Sequence, residues 1–138
     1  MSVLAFVEKN WMLIAVAFVS GAMLVWPLVQ RRFSPVKELN TLGATQLLNR
    51  DALLLDVRET SEYENGRLPN AVHIPLSQLE SRIGEIRGKH DHPVILYCAT
   101  GRRSRMAGAS LAKAGFKDIY HLTGGIAAWR TAGLPLEK

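Results

Sequence analysis

The sequence predicts an α/β fold, a mostly parallel central sheet flanked by helices on both faces, preceded by one N-terminal transmembrane helix. Three observations carry this prediction. Residues 11–29 include no charged side chain. Short continuous apolar runs, Ala52-Leu53-Leu54-Leu55-Asp56-Val57 and Pro93-Val94-Ile95-Leu96-Tyr97, have the pattern of strands buried on both faces. Segments with helical spacing alternate with those runs, as a covered parallel sheet requires.

The elements follow in order. After a short tail (1–10), the run from Trp11 to Val29 holds about 19 residues, enough at roughly 1.5 Å per residue to cross a hydrocarbon core. Trp11 and Trp26 fall near its ends, where indole rings favour the interface, and Arg31-Arg32 follow at once. A cleaved signal peptide fits less well, because the preceding residues have no net positive side-chain charge and no small-x-small site follows. A buried core helix would show a polar stripe, and this run has none. The basic flank places the main domain on the cytoplasmic side by the positive-inside rule.

A linker (30–40), with Phe33-Ser34-Pro35 in it, leads to the main domain (41–138), which opens with a helix around Ala44 to Asn49. The first buried strand ends near Val57, and a short helix from Ser61 to Asn65 stops at Gly66. Ala71-Val72-His73-Ile74 is a brief strand closed by Pro75. Ser77-Gln78-Leu79-Glu80 has the form of a capping box, with Leu79, Ile83 and Ile86 at helical spacing behind it. The strand Pro93 to Tyr97 delivers Cys98 at its C-terminal end. Ser104 to Ala114 reads as a helix closed by Gly115, with Phe116 placed for a contact after the cap. Asp118 to Leu122 is a further strand, and Ile126 to Thr131 a last helix before Gly133.

Bulk properties narrow the chemistry. The net charge is +5, and it arises downstream of the apolar run because Glu8 and Lys9 cancel. Such an excess suits anionic substrates or an acidic membrane face. The basic residues are scattered and no aromatic stacking set interleaves with them, so nucleic acid is not expected as a partner. One cysteine excludes an internal disulfide and a multi-cysteine zinc site, and a free thiol suits a reducing compartment. His90 and His92 flank Asp91 in a polar loop, too few ligands for a metal site. No metal and no cofactor is expected.

Ligands of open α/β sheets bind at the carboxyl ends of strands, and Cys98 occupies such an end. Ala99, Thr100, Gly101, Arg102, Arg103 and Ser104 follow and run into a helix. A loop curled over a helix N-terminus turns backbone N–H groups inward, cradles negative charge and favours thiolate over thiol. Gly101 permits the bend, and Arg102 and Arg103 add positive charge at the rim. By itself this loop reads equally well as a small buried hydrophobe at a strand end.

Four ordered motifs change that balance. Cys98-Ala-Thr-Gly101-Arg-Arg103-Ser104 resembles the Cys-x-x-Gly-x-Arg-Ser signature of the rhodanese family. Leu55-Asp56-Val57-Arg58 resembles its first motif, and Glu62-Tyr63-Glu64-Asn65-Gly66-Arg67-Leu68-Pro69-Asn70-Ala71-Val72-His73-Ile74-Pro75 its second. Leu122-Thr-Gly124-Gly125-Ile-Ala-Ala-Trp129 resembles its C-terminal Gly-Gly-x-x-x-Trp. The resemblance spans residues 42–134. Arg67 stands where His is usual and Asn70 where Gly is usual; Asn tolerates the left-handed backbone that Gly would supply.

The resemblance implies a rhodanese-like fold and a sulfurtransferase. Cys98 would take a sulfane sulfur from a small anionic donor such as thiosulfate, becoming a persulfide, and pass it to cyanide or to a thiol or protein acceptor. The amides from Ala99 to Arg103 would stabilise the anion, and Arg103 would hold the donor, with Arg102 facing solvent. Asp56 and Arg58 would position the loop from a neighbouring strand end, with Ser104 supporting it, and Gly124, Gly125 and Trp129 would pack. A phosphatase of the cell-cycle type shares this fold, but its loop places Arg six positions after Cys; here that position is Ser104. A membrane-tethered sulfur-relay or protein-interaction module with little thiosulfate turnover is the other alternative.

Overall fold

The computed structural model describes residues 2–33 and 35–138, with side chains described for 2–29 and 35–138. Ser34 of the expected linker and the side chains of Arg31 and Arg32, on which the orientation rests, lie outside that set. The chain divides into two compact units, Met1–Ser34 and Pro35–Lys138.

The first unit is α1 (Val3–Phe33), which contains Pro27. It begins earlier than the sequence predicts. The Ser2 hydroxyl accepts a hydrogen bond from the Ala5 N–H, so the helix is capped at its start and takes in residues 3–9 of the short tail. The backbone breaks helical geometry at Asn10 (φ −117°, ψ 19°), one residue before the expected start of the apolar span. Val3–Val29 is long and apolar enough to cross a membrane, with mean hydropathy 2.3 over its most apolar 18 residues. A signal sequence has the same character.

The second unit carries five parallel strands: β1 (Val36–Leu39), β2 (Leu53–Asp56), β3 (Val72–His73), β4 (Val94–Tyr97) and β5 (Ile119–Leu122). Their order is β1-β5-β4-β2-β3, every pairing parallel. The sequence assigns 30–40 to a linker, yet 36–39 form an edge strand. Its pattern is the reason: Lys37 and Glu38 are exposed, and Val36 is the one buried residue of the four. An edge strand paired only with β5 has one neighbour and little apolar signal.

Alternate residues of the central strands face opposite ways. Leu55, Val94, Leu96 and Ile119 pack with Leu79, Ala107 and Leu111 on one face. Leu54, Ile95, Tyr97 and Leu122 pack with Ala44, Ile126 and Trp129 on the other. Helices α2 (Thr41–Leu48) and α6 (Gly125–Thr131) therefore cover the second face, and α4 (Leu79–Arg82) and α5 (Arg102–Lys113) the first; α3 (Thr60–Glu64) follows β2. In α5 the buried residues Ser104, Ala107, Gly108 and Leu111 keep helical spacing. Its end forms as the sequence predicts: Gly115 takes φ +98°, its N–H donates to Ala112 O, and the Phe116 N–H donates to Leu111 O.

The capping box expected at Ser77 is absent. Ser77 lies inside a 3-10 turn (Leu76–Gln78), and Gln78 precedes α4 without a side-chain cap. Pro75 sets that tight turn going, and further 3-10 turns at Ile83–Glu85 and Arg87–Lys89 replace the longer helix. Asn70 takes φ +63°, the left-handed conformation expected of it.

Candidate active site

Parallel pairing brings the C-terminal ends of β2, β4 and β5 to one rim, and Cys98 follows β4 there. Gly101, at φ +112°, turns the chain into α5. That turn directs the Gly101 N–H at the Cys98 sulfur, N to Sγ 3.0 Å. The Cys98 thiol also points at the Ser104 hydroxyl, 3.7 Å away, while that hydroxyl donates to Gly101 O at 3.0 Å. Cys98 is a free thiol, 2% exposed.

Burial alone would raise the thiol pKa, since a charge is costly away from water. Here it is outweighed. The Ser104, Gly101 and Thr100 amides, together with the Ser104 hydroxyl when it turns from Gly101 O to the ionised sulfur, hold Cys98 below its ordinary value. The loop thus favours a thiolate in a dry setting, the condition for a sulfur nucleophile.

The loop is pinned from behind by a second helix start. The Ile126 N–H donates to Cys98 O at 2.9 Å, and the Ala127 N–H to Ala99 O at 3.4 Å. This close approach depends on Gly125. A Cβ there would sit 2.3 Å from Cys98 O and 2.6 Å from Ala99 O, and the residue is at φ +60°. The paired glycines are therefore more than packing: Gly125 lets the first turn of α6 grip the carbonyls that flank the nucleophile. Trp129, expected to pack, is buried and donates from its indole N–H to Pro135 O.

Arg103 does not stand free at the rim. Its guanidinium makes a two-pronged ion pair with Glu62 of α3, at 2.6 and 2.9 Å. Arg103 lowers the Glu62 carboxyl to about 2, against some burial and with help from the Glu59 N–H. Glu62 was not legible as a site residue, because its partner lies 41 residues downstream. Arg102 is exposed, and its side chain makes no hydrogen bond or ion pair among the described residues. Ala99 is half-buried and Thr100 exposed.

Asp56 and Arg58 form a separate buried knot beside the loop. Asp56 accepts from the Arg58 N–H (2.9 Å), from its guanidinium (2.8 Å at the shortest) and from the Tyr97 hydroxyl (2.6 Å). Arg58 also donates to Gly66 O, and the Leu68 N–H donates to the Tyr97 oxygen. With Arg58 3% exposed, the knot ties β2, β4 and the 66–68 segment together and presents no charge to a substrate. Among the described residues, no group of three or more His, Cys, Asp or Glu could hold a metal ion.

Comparison with known proteins agrees with this architecture. Residues 41–132 match the Rhodanese-like domain family. A sulfurtransferase of Allochromatium vinosum is 36% identical over 103 residues, covering 73% of this chain and 94% of that protein. The uncharacterized protein YqhL of Bacillus subtilis is 49% identical over 80 residues, which span 58% of this chain and 62% of YqhL. The crystal structure of a rhodanese-related protein from Thermoplasma volcanium superposes with a TM-score of 0.67 at 29% identity, covering 73% of this chain and 97% of that one. The match to the family, taken with the parallel sheet and the cysteine loop at its carboxyl rim, makes this chain a member of the rhodanese-like domain family.

Proposed function

We propose that the chain is a sulfurtransferase that carries sulfur as a persulfide on Cys98, from thiosulfate or another persulfide to a thiol or to cyanide. The observation that carries this reading is the Gly101 N–H aimed at Sγ from 3.0 Å, in a loop that lowers the thiol pKa. The Cys98 thiolate attacks the outer sulfur of thiosulfate. The S–S bond to the sulfite group breaks, sulfite leaves with the electron pair, and a persulfide remains. The extra sulfur carries negative charge, and the amides at the start of α5 stabilise it as oxyanion-hole donors stabilise developing charge. In the second step the acceptor attacks that outer sulfur, and Cys98 departs as thiolate. This gives thiocyanate from cyanide or a new persulfide from a thiol. Because the chain has one cysteine, the acceptor must be a second molecule.

The Arg103–Glu62 pair favours a persulfide as the better of the two donors. Glu62 offsets the charge that a dianion would otherwise meet. The α1 helix is the natural membrane tether, with the rhodanese-like domain on the cytoplasmic side; carbonate extraction followed by protease protection tests both statements. The chemistry is tested with the full chain in detergent, thiosulfate and cyanide. Thiocyanate release that disappears in Cys98→Ser supports it. No release from folded protein whose Cys98 still alkylates contradicts the thiosulfate version, and discharge of a supplied persulfide then separates a relay from a binding module.

A further inference from the structure

A cavity of ≈ 340 Å³ lies beside the cysteine loop. Thr100, Gly101 and Arg102 of the loop, Arg105 and Met106 of α5, and His121 and Thr123 at the end of β5 contribute to its wall. Cys98 does not line it. Gly101 belongs to both places, with its N–H 3.0 Å from the sulfur and its backbone in the cavity wall. A molecule held in the cavity would therefore sit one residue's thickness from the reacting atom.

The polar side chains around this space have little to do within the protein. Among the described residues, the side chains of Arg102, Thr100 and Thr123 make no hydrogen bond or ion pair. Arg105 reaches Glu38 only at 3.4 Å, both side chains 61% exposed, a weak and solvent-screened pair. His121 is 2% exposed, and its Nδ1 is a buried polar atom with no partner. Buried polar atoms in native proteins are nearly always satisfied, so an orphan beside an open cavity marks a place where something else binds. Burial, and then the charge of Arg105, lower the His121 pKa against the opposing pull of Glu38. The N-terminus of α5 adds its partial positive charge to that of the two guanidinium groups. Apart from Glu38, the charged groups around the cavity favour an anion.

Size and lining define the ligand further. A cavity of ≈ 340 Å³ falls at the low end of the range for small organic ligands, about 300–1,000 Å³. It is larger than a lone inorganic anion needs. Met106, 57% exposed, supplies an apolar surface for a short carbon chain. The site already described calls for an external acceptor with a thiol. We infer that this cavity is the acceptor subsite, and that it seats the carboxylate of a small thiol acid whose sulfur reaches the Cys98 persulfide. The inference rests on the sulfurtransferase reading of Cys98 and names the class of its acceptor. In the transfer the bound thiol gives its proton to water, and its thiolate attacks the outer sulfur. The bond between that sulfur and Cys98 breaks, and Cys98 keeps the electron pair.

Two measurements on the full chain in detergent micelles separate the subsite from the chemistry. In the first, succinate, which has carboxylates but no sulfur, is titrated against the His121 ring resonances. Saturable shifts that disappear in Arg105→Gln and return in Arg105→Lys support the subsite, whatever the turnover. Absence of shifts in the unaltered chain overturns it. In the second, the thiosulfate-loaded protein is discharged by 3-mercaptopropionate or by uncharged 2-mercaptoethanol. The kcat/KM ratio of the two thiols favours the acid, and Arg105→Gln lowers that ratio about ten-fold, the worth of one charge-assisted hydrogen bond. Equal ratios in both proteins overturn the inference. Succinate shifts with no sulfite release from thiosulfate would support the anion site while counting against the thiosulfate reading.

Discussion

Replacing Gly125 by alanine tests how the loop is held more sharply than any change to the loop itself. Two costs meet at this position. Alanine at φ +60° pays the left-handed penalty of about 1–2 kcal/mol. Its Cβ would also lie 2.3 Å from Cys98 O, 2.6 Å from Ala99 O and 2.7 Å from Ala99 C. All three neighbours are backbone, so no side chain can swing aside. Relieving such overpacking costs about 1–3 kcal/mol, and the expected total is about 2–5 kcal/mol. The relief must draw α6 away from the loop and lengthen the Ile126-to-Cys98 hydrogen bond. Gly133→Ala isolates the first cost, because Gly133 is at φ +73° with nothing within 4 Å of its added Cβ. It should lose about 1–2 kcal/mol. Gly84→Ala, with open space and no left-handed backbone, should be close to neutral. Urea unfolding of the three variants in detergent gives the stabilities, and iodoacetamide alkylation against pH reports the thiol. The reasoning predicts the order Gly125, Gly133, Gly84 in lost stability, and a Cys98 pKa that rises only in Gly125→Ala. A Gly125→Ala protein as stable as Gly133→Ala, with an unchanged alkylation profile, would refute it.

Other perturbations follow from the same geometry. Ser104→Ala removes one hydrogen bond to Cys98 and should move the alkylation inflection upward, while leaving the fold intact by circular dichroism. Because the folded Cys98 pKa lies below its ordinary value, its contribution to stability is present at high pH and falls away as pH drops through the folded pKa. Asp56→Asn strands the Arg58 charge at 3% exposure and should cost about 3–5 kcal/mol in urea unfolding. Glu62→Gln breaks a pair about one-third exposed, so its stability cost should stay below about 1 kcal/mol. With the Glu62 carboxyl lowered to about 2, the pair's contribution is present above the ordinary carboxyl value of 4.5 and is lost as pH falls towards 2. The variant should flatten the acid limb of stability over that window, as followed by tryptophan fluorescence.

How far the sequence reached depended on whether a signal was local. Strands β2, β4 and β5 carry apolar runs, and the end of α5 carries its Gly115-Phe116 stop, so both were legible from neighbouring residues. Strand β1 was not, because Lys37 and Glu38 expose the edge and the pairing partner lies beyond residue 118. The Ser77 pattern misled for the opposite reason: the local match was good, but Pro75 and the packing of Leu79 select a 3-10 entry. Within the site, the loop after Cys98 could be read from its glycine and the helix behind it. The roles of Glu62 and Gly125 could not, since each acts through a residue far along the chain. The ion pair of Arg103 was equally out of reach, because its counter-ion enters from α3.

The central claim is that Cys98 stores a transferable sulfur. Intact-mass measurement of the full chain after incubation with thiosulfate, before and after addition of cyanide, tests it most directly. The account predicts a gain of one sulfur atom on Cys98, sulfite released in equal amount, return to the starting mass with cyanide, and none of these in Cys98→Ser. An unmodified mass, from folded protein whose thiol alkylates below its ordinary pKa, would contradict transfer from thiosulfate.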